Sequence, residues 1–350
     1  ISISLESKGG KCFVRDFRIL DGKKNLEFDC LYIERVFKFL LWMIGGNRAG
    51  IYGDSDIADY IVNLYQTGGA REFDASFMAK VYEEDFLVES KPLNELPCSR
   101  EEGIAVGGNL EGCRIGFDAG GSDLKVCAVQ NGEVLFSQEV VWHPKLQEDP
   151  AYHYEWILST MKKAAAYLPR VDAIGVSSAG IYVDNRCMVA SLFIKVPMQA
   201  FDENVKDIYI RAAREIGAPL VVLNDGDVAA LAGATGMETN SILGIAMGTS
   251  EAAGFVDGQG NIKGWLNELA FAPVDLNENA MMDEWSGDVG CGVKYFSQDG
   301  VIKLAEQAGI KLNDFDSPAQ KLAAVQKLMD KGDLGARKIY ESIGICFGHT

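Results

Sequence analysis

The sequence has 350 residues, 48% of them hydrophobic and 24% charged, which is the composition of a globular protein with two or three domains. Its net charge of −17 argues against partners such as nucleic acid or an anionic membrane surface, because both repel an acidic chain. The sequence contains no run of about 18 apolar residues and no signal peptide at its start. The eight cysteines include no CxxC pair, which indicates reduced thiols and a cytoplasmic protein.

Residues 1–107 are predicted to form a helix-rich accessory domain. Asp29 is expected to cap one helix and Asp54 a second, and a third short helix is predicted at 74–82. The acidic balance of this segment argues against a DNA-binding helix-turn-helix. The run FKFLLWMI (37–44) is a large apolar surface, so we expect it to pack against the following lobe or against a second chain in a homodimer.

A first α/β lobe is predicted at residues 108–236, after a boundary segment rich in proline and glycine. Two strands flank the segment DAGGSDLK, and Asn131-Gly132 is a strong hairpin signal before a third strand. A helix, a strand, a helix, a strand and a final helix follow. This alternation favours a sheet covered by helices.

The segment DAGGSDLK carries the first candidate site. A phosphate needs backbone N–H donors at close range, which Gly120 and Gly121 allow, and Ser122 adds a hydroxyl donor. Asp118 can hold Mg²⁺ directly or through water. Lys125 is a further phosphate candidate, although on the next strand it faces either the phosphates or solvent. The alternative is a plain hairpin turn, because Asp, Gly and Ser all favour turns.

The second candidate site is VVLNDGDVAALAGA, residues 221–234. A buried strand delivers Asn224 and Asp225 to its carboxyl end, where ligands bind in open α/β folds. A carboxylate there can accept a hydroxyl proton during phosphoryl transfer. The alternative is that Asp225 or Asp227 only caps the helix that follows.

A second lobe is predicted at residues 237–350. Its first strand runs into a turn of Gly248, Thr249 and Ser250, a second candidate phosphate site. A hairpin follows, and then three helices, one of which is expected to begin at Ser317-Pro318. Because both lobes open with a strand, a Gly/Ser/Thr turn and another strand, we expect a duplicated α/β domain with a cleft between its halves.

In this order the three motifs resemble those of the ASKHA group of sugar kinases and actin-like ATPases, and most of all the ROK family of bacterial glucokinases, other hexose kinases and sugar-responsive repressors. A glycine-ended strand, GVSSAG (175–180), also matches the family. The resemblance covers about residues 113–350. It implies duplicated actin/hexokinase-like (ribonuclease H-like) lobes around a nucleotide cleft, with ATP and Mg²⁺ as cofactors. It also implies that Asp225 is the general base, that Asn224 binds a sugar hydroxyl and that Asp118 lies near Mg²⁺.

The sequence departs from the family in the sugar and zinc motifs. Glu268 remains as an acceptor for a sugar hydroxyl, but Phe271 stands at the family's histidine and Val293 at its second sugar-binding glutamate. Of the cysteine-rich zinc loop, Cys291 is retained, and one cysteine cannot hold a zinc ion. We therefore expect no structural zinc, and a substrate other than glucose itself.

The sequence also stops before the family's strand and Gly-Gly turn that pack on the adenine, so we expect it to be a fragment of a longer protein. The leading prediction is an ATP-dependent kinase for a hydroxyl of a sugar or sugar derivative. One alternative is a catalytically weak sugar-sensing regulatory protein on the same fold, and another is an ATPase scaffold without a sugar substrate. The intact Asp225 favours the enzyme, and the altered sugar contacts favour the sensor.

Overall fold

The computed structural model describes residues 1–20, 23–248, 250–277 and 279–350. The described part of the N-terminal segment contains four strands and three α-helices, so the prediction of a helix-rich domain missed its sheet. The sheet order is β2-β1-β3-β4; β1 is antiparallel to both neighbours and β3 is parallel to β4. The elements are β1 (Ser2–Ser7), β2 (Lys11–Asp16), α1 (Leu26–Ile44), β3 (Arg48–Tyr52), α2 (Ser55–Leu64), α3 (Glu72–Tyr82) and β4 (Leu87–Lys91).

The helix ends of this segment test the capping predictions. Asp54 caps α2, because its side chain accepts from the N–H groups of the first turn at 3.0 and 3.2 Å. Asp29 does not cap α1, which begins at Leu26. Its carboxylate is instead buried and accepts the N–H of Leu20 at 2.9 Å. The helix extends upstream of Asp29 to Leu26, so Asp29 lies in its first turn and the helix starts before the predicted position.

The first lobe is a five-stranded sheet with the order β11-β8-β5-β6-β7. Strands β5, β8 and β11 are parallel, so their carboxyl ends lie at one edge, whereas β6 and β7 are antiparallel to their neighbours. The predicted hairpin at Asn131-Gly132 is confirmed, with both residues at positive φ. The elements are β5 (Cys113–Ala119), β6 (Asp123–Gln130), β7 (Glu133–Val141), α4 (Pro150–Ala165), β8 (Ala173–Ser178), β9 (Ile181–Val183), β10 (Arg186–Val189), α5 (Met198–Asn204), α6 (Ile208–Ile216), β11 (Leu220–Asn224) and α7 (Asp225–Gly236).

The remaining chain forms a hairpin and a group of helices. Among the described residues it contains no second five-stranded sheet, so the duplication expected from the sequence is not seen there. Ser317 caps α9 with Gln320 in a capping box, as the Ser-Pro signal predicted. The described helices are all too short or too polar to span a bilayer. The elements are β12 (Ile242–Met247), β13 (Glu251–Val256), α8 (Gln298–Gln307), α9 (Pro318–Asp330) and α10 (Leu334–His349).

Helix α7 lies unusually close to the β12–β13 hairpin, because glycine lines their interface. A Cβ added at Gly226 would lie 2.4 Å from the carbonyl oxygen of Ala253, and one added at Gly254 would lie 2.4 Å from the Cα of Asp227. No side chain fits into such a gap. The interface therefore holds the start of α7, and with it Asp225, directly against β13.

The N-terminal segment packs onto the hairpin side of the molecule. The backbone N–H groups of residues 266–268 donate to the carbonyls of the last turn of α1 at 3.3, 2.9 and 3.0 Å. These carbonyls have no hydrogen-bond partner within the helix, so the contact supplies partners for polar backbone groups of both segments. Beside it, the ring of Trp42 stacks on that of Phe271 with centroids 4.3 Å apart. The run 37–44 is therefore buried within this chain, in agreement with the first of its two predicted locations.

Candidate active site

A cavity of about 900 Å³ lies between the first lobe, the β12–β13 hairpin and the N-terminal segment. It brings together residues from the second and third sequence motifs and from the segment after β13. Several polar groups converge on it, as in a ligand site. They are Asn224, Asp225, Gly248, Ser250, Glu251 and Glu268.

The start of α7 determines what Asp225 can do. Asn224 is the N-cap: its Oδ1 accepts the N–H of Gly226 at 2.7 Å, and its Nδ2 donates to the carbonyl of Gly180 at 2.7 Å. The N-cap is therefore Asn224, and the carboxylate of Asp225 is a second, more distant acceptor of the same Gly226 N–H, at 3.2 Å. Burial raises the pKa of Asp225 above its ordinary value, and the nearby charge of Asp118 raises it further.

The first turn, between β5 and β6, is organised around a residue that the sequence analysis did not select. The carboxylate of Asp123 accepts the hydroxyl of Ser122 at 2.8 Å and the ammonium of Lys125 at 2.6 Å. These contacts lower the pKa of Asp123, with the Lys125 contact contributing most. Lys125 lies on β6, the strand after the turn, as the sequence analysis considered. Its Nζ is 3.8 Å from Oδ2 of Asp118.

Gly120 and Gly121 lie in the hairpin turn that joins the antiparallel strands β5 and β6, and the N–H of Gly120 is used inside that turn. The N–H of Gly120 donates to the carbonyl of Asp123 at 2.9 Å, and the indole N–H of Trp142 donates to the Gly120 carbonyl at 2.8 Å. A Cβ added at Gly121 would lie 3.6 Å from Nζ of Lys145. Lys145 is thus a cation beside the turn, and no sequence pattern singled it out because it lies 24 positions from Gly121.

The second turn follows β12. The N–H of Gly248 donates to the carbonyl of Ser250 at 3.0 Å, and the Gly248 carbonyl accepts the N–H of Gln298, at the start of α8, at 2.7 Å. Ser250 is exposed to the cavity. Thr249, the third residue of this predicted site, lies outside the described residues.

Two buried acids, Asp227 and Glu251, and the partly buried Glu268 share an unusual electrostatic environment. Burial raises the pKa of Asp227 to about 7, although the Asn267 amide N–H donates to it at 3.0 Å. Burial, with the charges of Asp225 and Asp227, raises the pKa of Glu268 to about 7. Burial and the charge of Glu268 raise the pKa of Glu251 to about 8. Of these acids, sequence reasoning selected Glu268 alone, because only a folded chain brings Asp227 and Glu251 next to it.

Packing and ion pairs occupy the region where the resemblance in sequence implied a zinc loop. Phe271 contacts Trp42 and also Trp285, whose ring centroid lies 5.2 Å away. The carboxylate of Asp288 pairs with three cations from the N-terminal segment: Lys38 at 2.5 Å, Arg71 at 2.8 Å and Arg35 at 3.4 Å. Across the described ranges no group of three His, Cys, Asp or Glu side chains is arranged to hold a metal ion. The absence of zinc from the protein stays a prediction.

Comparison with known proteins finds similarity in structure alone. No protein-family model and no curated protein sequence matches the chain. A ROK-family glucokinase from Streptomyces griseus, solved with glucose and AMPPNP, matches with a TM-score of 0.48 at 18% identity, over 66% of this chain and 75% of that one. A ROK hexokinase from Thermus thermophilus matches with a TM-score of 0.49 at 19% identity, over 65% and 72%.

A ROK-family transcriptional regulator, a homologue of the E. coli MLC protein, matches with a TM-score of 0.54 at 18% identity. The match covers 69% of this chain and 61% of the regulator. Similarity at this level of identity establishes the fold and leaves the activity open. The resemblance predicted from the motifs is confirmed to that extent: the chain shares the fold of this ROK-family protein.

Proposed function

We propose that the protein transfers the γ-phosphoryl group of ATP to a hydroxyl of a sugar or sugar derivative. The observation that carries the proposal is the position of Asp225. Its carboxylate is not used as a helix cap, lies at the carboxyl end of a parallel strand, and lines a cavity of about 900 Å³ with the Gly248–Ser250 turn. This is where a base and a phosphate loop must meet for phosphoryl transfer.

In the proposed reaction, Asp225 accepts the proton of the substrate hydroxyl as its oxygen attacks the γ-phosphorus. The new O–P bond forms as the bond to the bridging oxygen of ADP breaks, so one proton passes to the carboxylate and ADP leaves. Burial raises the pKa of Asp225, which makes its ionised form a better base than an exposed aspartate. Activity should accordingly fall as the pH is lowered through that pKa.

The substrate would be oriented by groups on both sides of Asp225. Glu268 accepts hydroxyl hydrogen bonds, and the second N–H of the Asn224 amide remains available after its bond to Gly180. Phe271 and Trp285 supply an apolar wall of the same cavity. Together these contacts would hold one hydroxyl in line with the phosphate.

The two glycine turns would hold the phosphates of ATP. Gly120, Gly121 and Ser122 supply one turn, with Lys145 beside it, and Gly248, Thr249 and Ser250 supply the other. Asp118 suits Mg²⁺, since its carboxylate is 38% exposed and its nearest described cation, Lys125, is 3.8 Å away. When bound there, Mg²⁺ would neutralise charge on the transferring group.

A catalytically weak sugar sensor is the second candidate. It is favoured by Phe271, which is packed among aromatic rings where ROK kinases have a histidine, and by Val293 in place of a sugar-binding glutamate. A sensor keeps sugar binding and loses turnover, so the two candidates differ in a measurable way.

The test is an unbiased panel of sugars with MgATP, read as ADP release, with the Asp225→Asn variant run in parallel. We expect at least one sugar to give ADP release that the variant lacks. If a sugar raises the Tm of the protein but no sugar gives ADP release above the variant, the sensor is the better description. A shift of duplex DNA by the full chain at physiological salt would support the same conclusion.

A further inference from the structure

Glu251, the first residue of β13, lines the cavity without any partner that explains it. The residue is 6% exposed, and neither oxygen of its carboxylate has a hydrogen-bond partner among the described residues. An unpaired carboxylate is costly to bury, because it loses its hydration and gains nothing in return. Such a group at the wall of a cavity points to a ligand that supplies the missing donors.

The surrounding backbone makes room for this side chain. A Cβ added at Gly292 would lie 2.7 Å from Oε2 of Glu251 and 2.3 Å from the carbonyl of Leu269. Any residue other than glycine at position 292 would collide with the carboxylate or with the chain behind it. Glu251 therefore occupies a defined position and is not a surface acid that happens to fold inward.

The charges around Glu251 are predominantly negative. Glu268 is the charged neighbour that raises its pKa, and Glu268 is in turn affected by Asp225 and Asp227. Among the described residues none of these four acids takes part in an ion pair within 4.0 Å. The other charged residues that line the cavity, Lys80 and Asp202, are both exposed.

We propose that Glu251 and Glu268 bind a protonated amine, so that the substrate is an amine-bearing sugar or polyol. The geometry alone supports the amine site, whereas the statement that the bound molecule is phosphorylated rests on the proposed function. A neutral hydroxyl would satisfy one oxygen, but it brings no charge that would allow the two neighbouring carboxyls to be ionised together. An ammonium group offers three N–H donors for the unpaired oxygens and a positive charge that balances the two carboxylates.

Binding of a cation should release protons from the two carboxyls. The pKa values of Glu251, about 8, and of Glu268, about 7, mean that both are largely protonated in mildly acidic solution. A bound ammonium favours their ionised forms and so displaces protons. Glucose, which carries no charge, should bind without this release.

The experiment is calorimetric titration of the full chain with glucosamine, N-acetylglucosamine and glucose. It is run at about pH 6.5, between the ordinary pKa of a carboxyl and that of the amine, in two buffers of different ionisation enthalpy. We expect glucosamine to bind about tenfold or more tightly than the two neutral sugars, since a hydrogen bond to a charged group is worth that much. We also expect proton release with glucosamine alone.

The Glu251→Gln variant keeps the size of the side chain and removes its charge. We expect it to lose the preference for glucosamine and the proton release, and to unfold at the same or a higher temperature than the parent. The matched control is Asp202→Asn, which removes an exposed charge from the same cavity and should retain both effects.

Equal binding of the three sugars, binding of none, or a preference that survives Glu251→Gln would each overturn the amine site. These results do not depend on turnover. If amine-selective binding is found without phosphoryl transfer to any sugar, the kinase proposal fails and the amine site stands. If a neutral sugar is phosphorylated without amine preference, the reverse holds.

Discussion

Helix α7 begins at Asp225, and the nearest side-chain acceptor for the N–H of Gly226 in its first turn is Asn224, at 2.7 Å, whereas Asp225 itself is 3.2 Å from that N–H. This arrangement separates two roles that one residue could otherwise have combined. A capping aspartate would be held by backbone donors and would lose basicity, because hydrogen bonds to a carboxylate lower its pKa. With Asn224 as the cap, burial governs the pKa of Asp225 and raises it.

We therefore expect Asp225→Asn to lower kcat by about 10²–10⁴-fold, the usual contribution of a general base. The amide has the size of the carboxylate, so the thermal unfolding temperature should change little. Both quantities can be measured on the same preparation, with the sugar identified in the panel. A variant with wild-type turnover would show that Asp225 has no part in proton transfer.

The raised pKa of Glu251 leads to a prediction about the stability of the protein that does not depend on any substrate. Its folded pKa of about 8 lies above that of an exposed glutamate, so the folded protein binds its proton more tightly than the unfolded chain does. The contribution of this proton to the free energy of unfolding is fully present below about pH 4, near the ordinary pKa of a glutamate. It is lost as the pH rises toward the folded pKa, and each pKa unit of difference corresponds to about 1.4 kcal/mol.

The free energy of unfolding of Glu251→Gln, minus that of the parent, should therefore increase between about pH 5 and pH 8. Urea unfolding at several pH values measures this difference. The buried amide has its own cost, but that cost does not vary with pH. A difference that stays constant across the range would contradict the raised pKa.

At the scale of elements, α1 supports the segment that carries Glu268. The last-turn carbonyls of the helix accept the N–H groups of residues 266–268. The ring of Trp42 packs on that of Phe271, which lies three residues after Glu268. Trp42 is fully buried, and its indole N–H donates to Asp74 at 2.9 Å. The N-terminal segment is thus part of the cavity wall.

Trp42→Ala should lower the free energy of unfolding by about 3–5 kcal/mol, the usual cost of emptying a buried aromatic site. It should also raise the KM for the sugar, because the segment at Glu268 loses its support. Tyr32→Ala is the matched control: Tyr32 is an exposed aromatic residue on the same helix, and we expect an effect within about 0.5 kcal/mol. Equal effects of the two changes would mean that α1 does not support the site.

The elements that the sequence predicted well are those with local signals. Asn131-Gly132 needs only its own backbone preference to form a turn, and Ser317 needs only Gln320 three positions on to cap a helix. The strands of the N-terminal sheet depend on distant partners; β1, for example, pairs with β3 across more than 40 residues. Single-sequence patterns do not contain that information.

The same distinction applies to the candidate site. Asp225 and Asn224 could be predicted because a buried strand and a small-residue helix flank them in sequence. Glu251 and Asp227 could not, since their significance comes from Glu268, which approaches them only through the contact between the N-terminal segment and residues 266–268.

At the scale of the whole molecule, an ion cluster joins the two ends of the chain. Asp288 pairs with Lys38 and Arg35, which lie 250 and 253 residues away in sequence, and with Arg71, which also belongs to the N-terminal segment. Burial alone would raise the pKa of Asp288, but the three cations outweigh it and lower that pKa to about 2. The cluster therefore contributes stability above the ordinary aspartate pKa, and this contribution is lost as the pH falls toward 2.

Asp288→Asn should lower the free energy of unfolding at neutral pH by up to about 3–5 kcal/mol, because it leaves three cations with only Glu34 and Asp74 as counter-charges. The control is Glu341→Gln, which breaks an exposed pair with Arg337 and should cost less than about 1 kcal/mol. Chemical unfolding measures both. The difference between parent and Asp288→Asn should shrink as the pH approaches 2, and its persistence there would contradict the assignment.

The close contact between α7 and the hairpin constrains how the cavity can close over a substrate. Gly226 and Gly254 leave no free space between helix and strands, and an interface without space cannot slide. The carboxylate of Asp225 at the start of α7, which is the proposed base, and the proposed phosphate turn after β12 must then travel as one rigid body. Any hinge has to lie at the margins of that body, such as the end of β11 at Asn224. The distance between base and phosphate turn is thereby set when the protein folds, and the arrival of the substrate adjusts only what surrounds them.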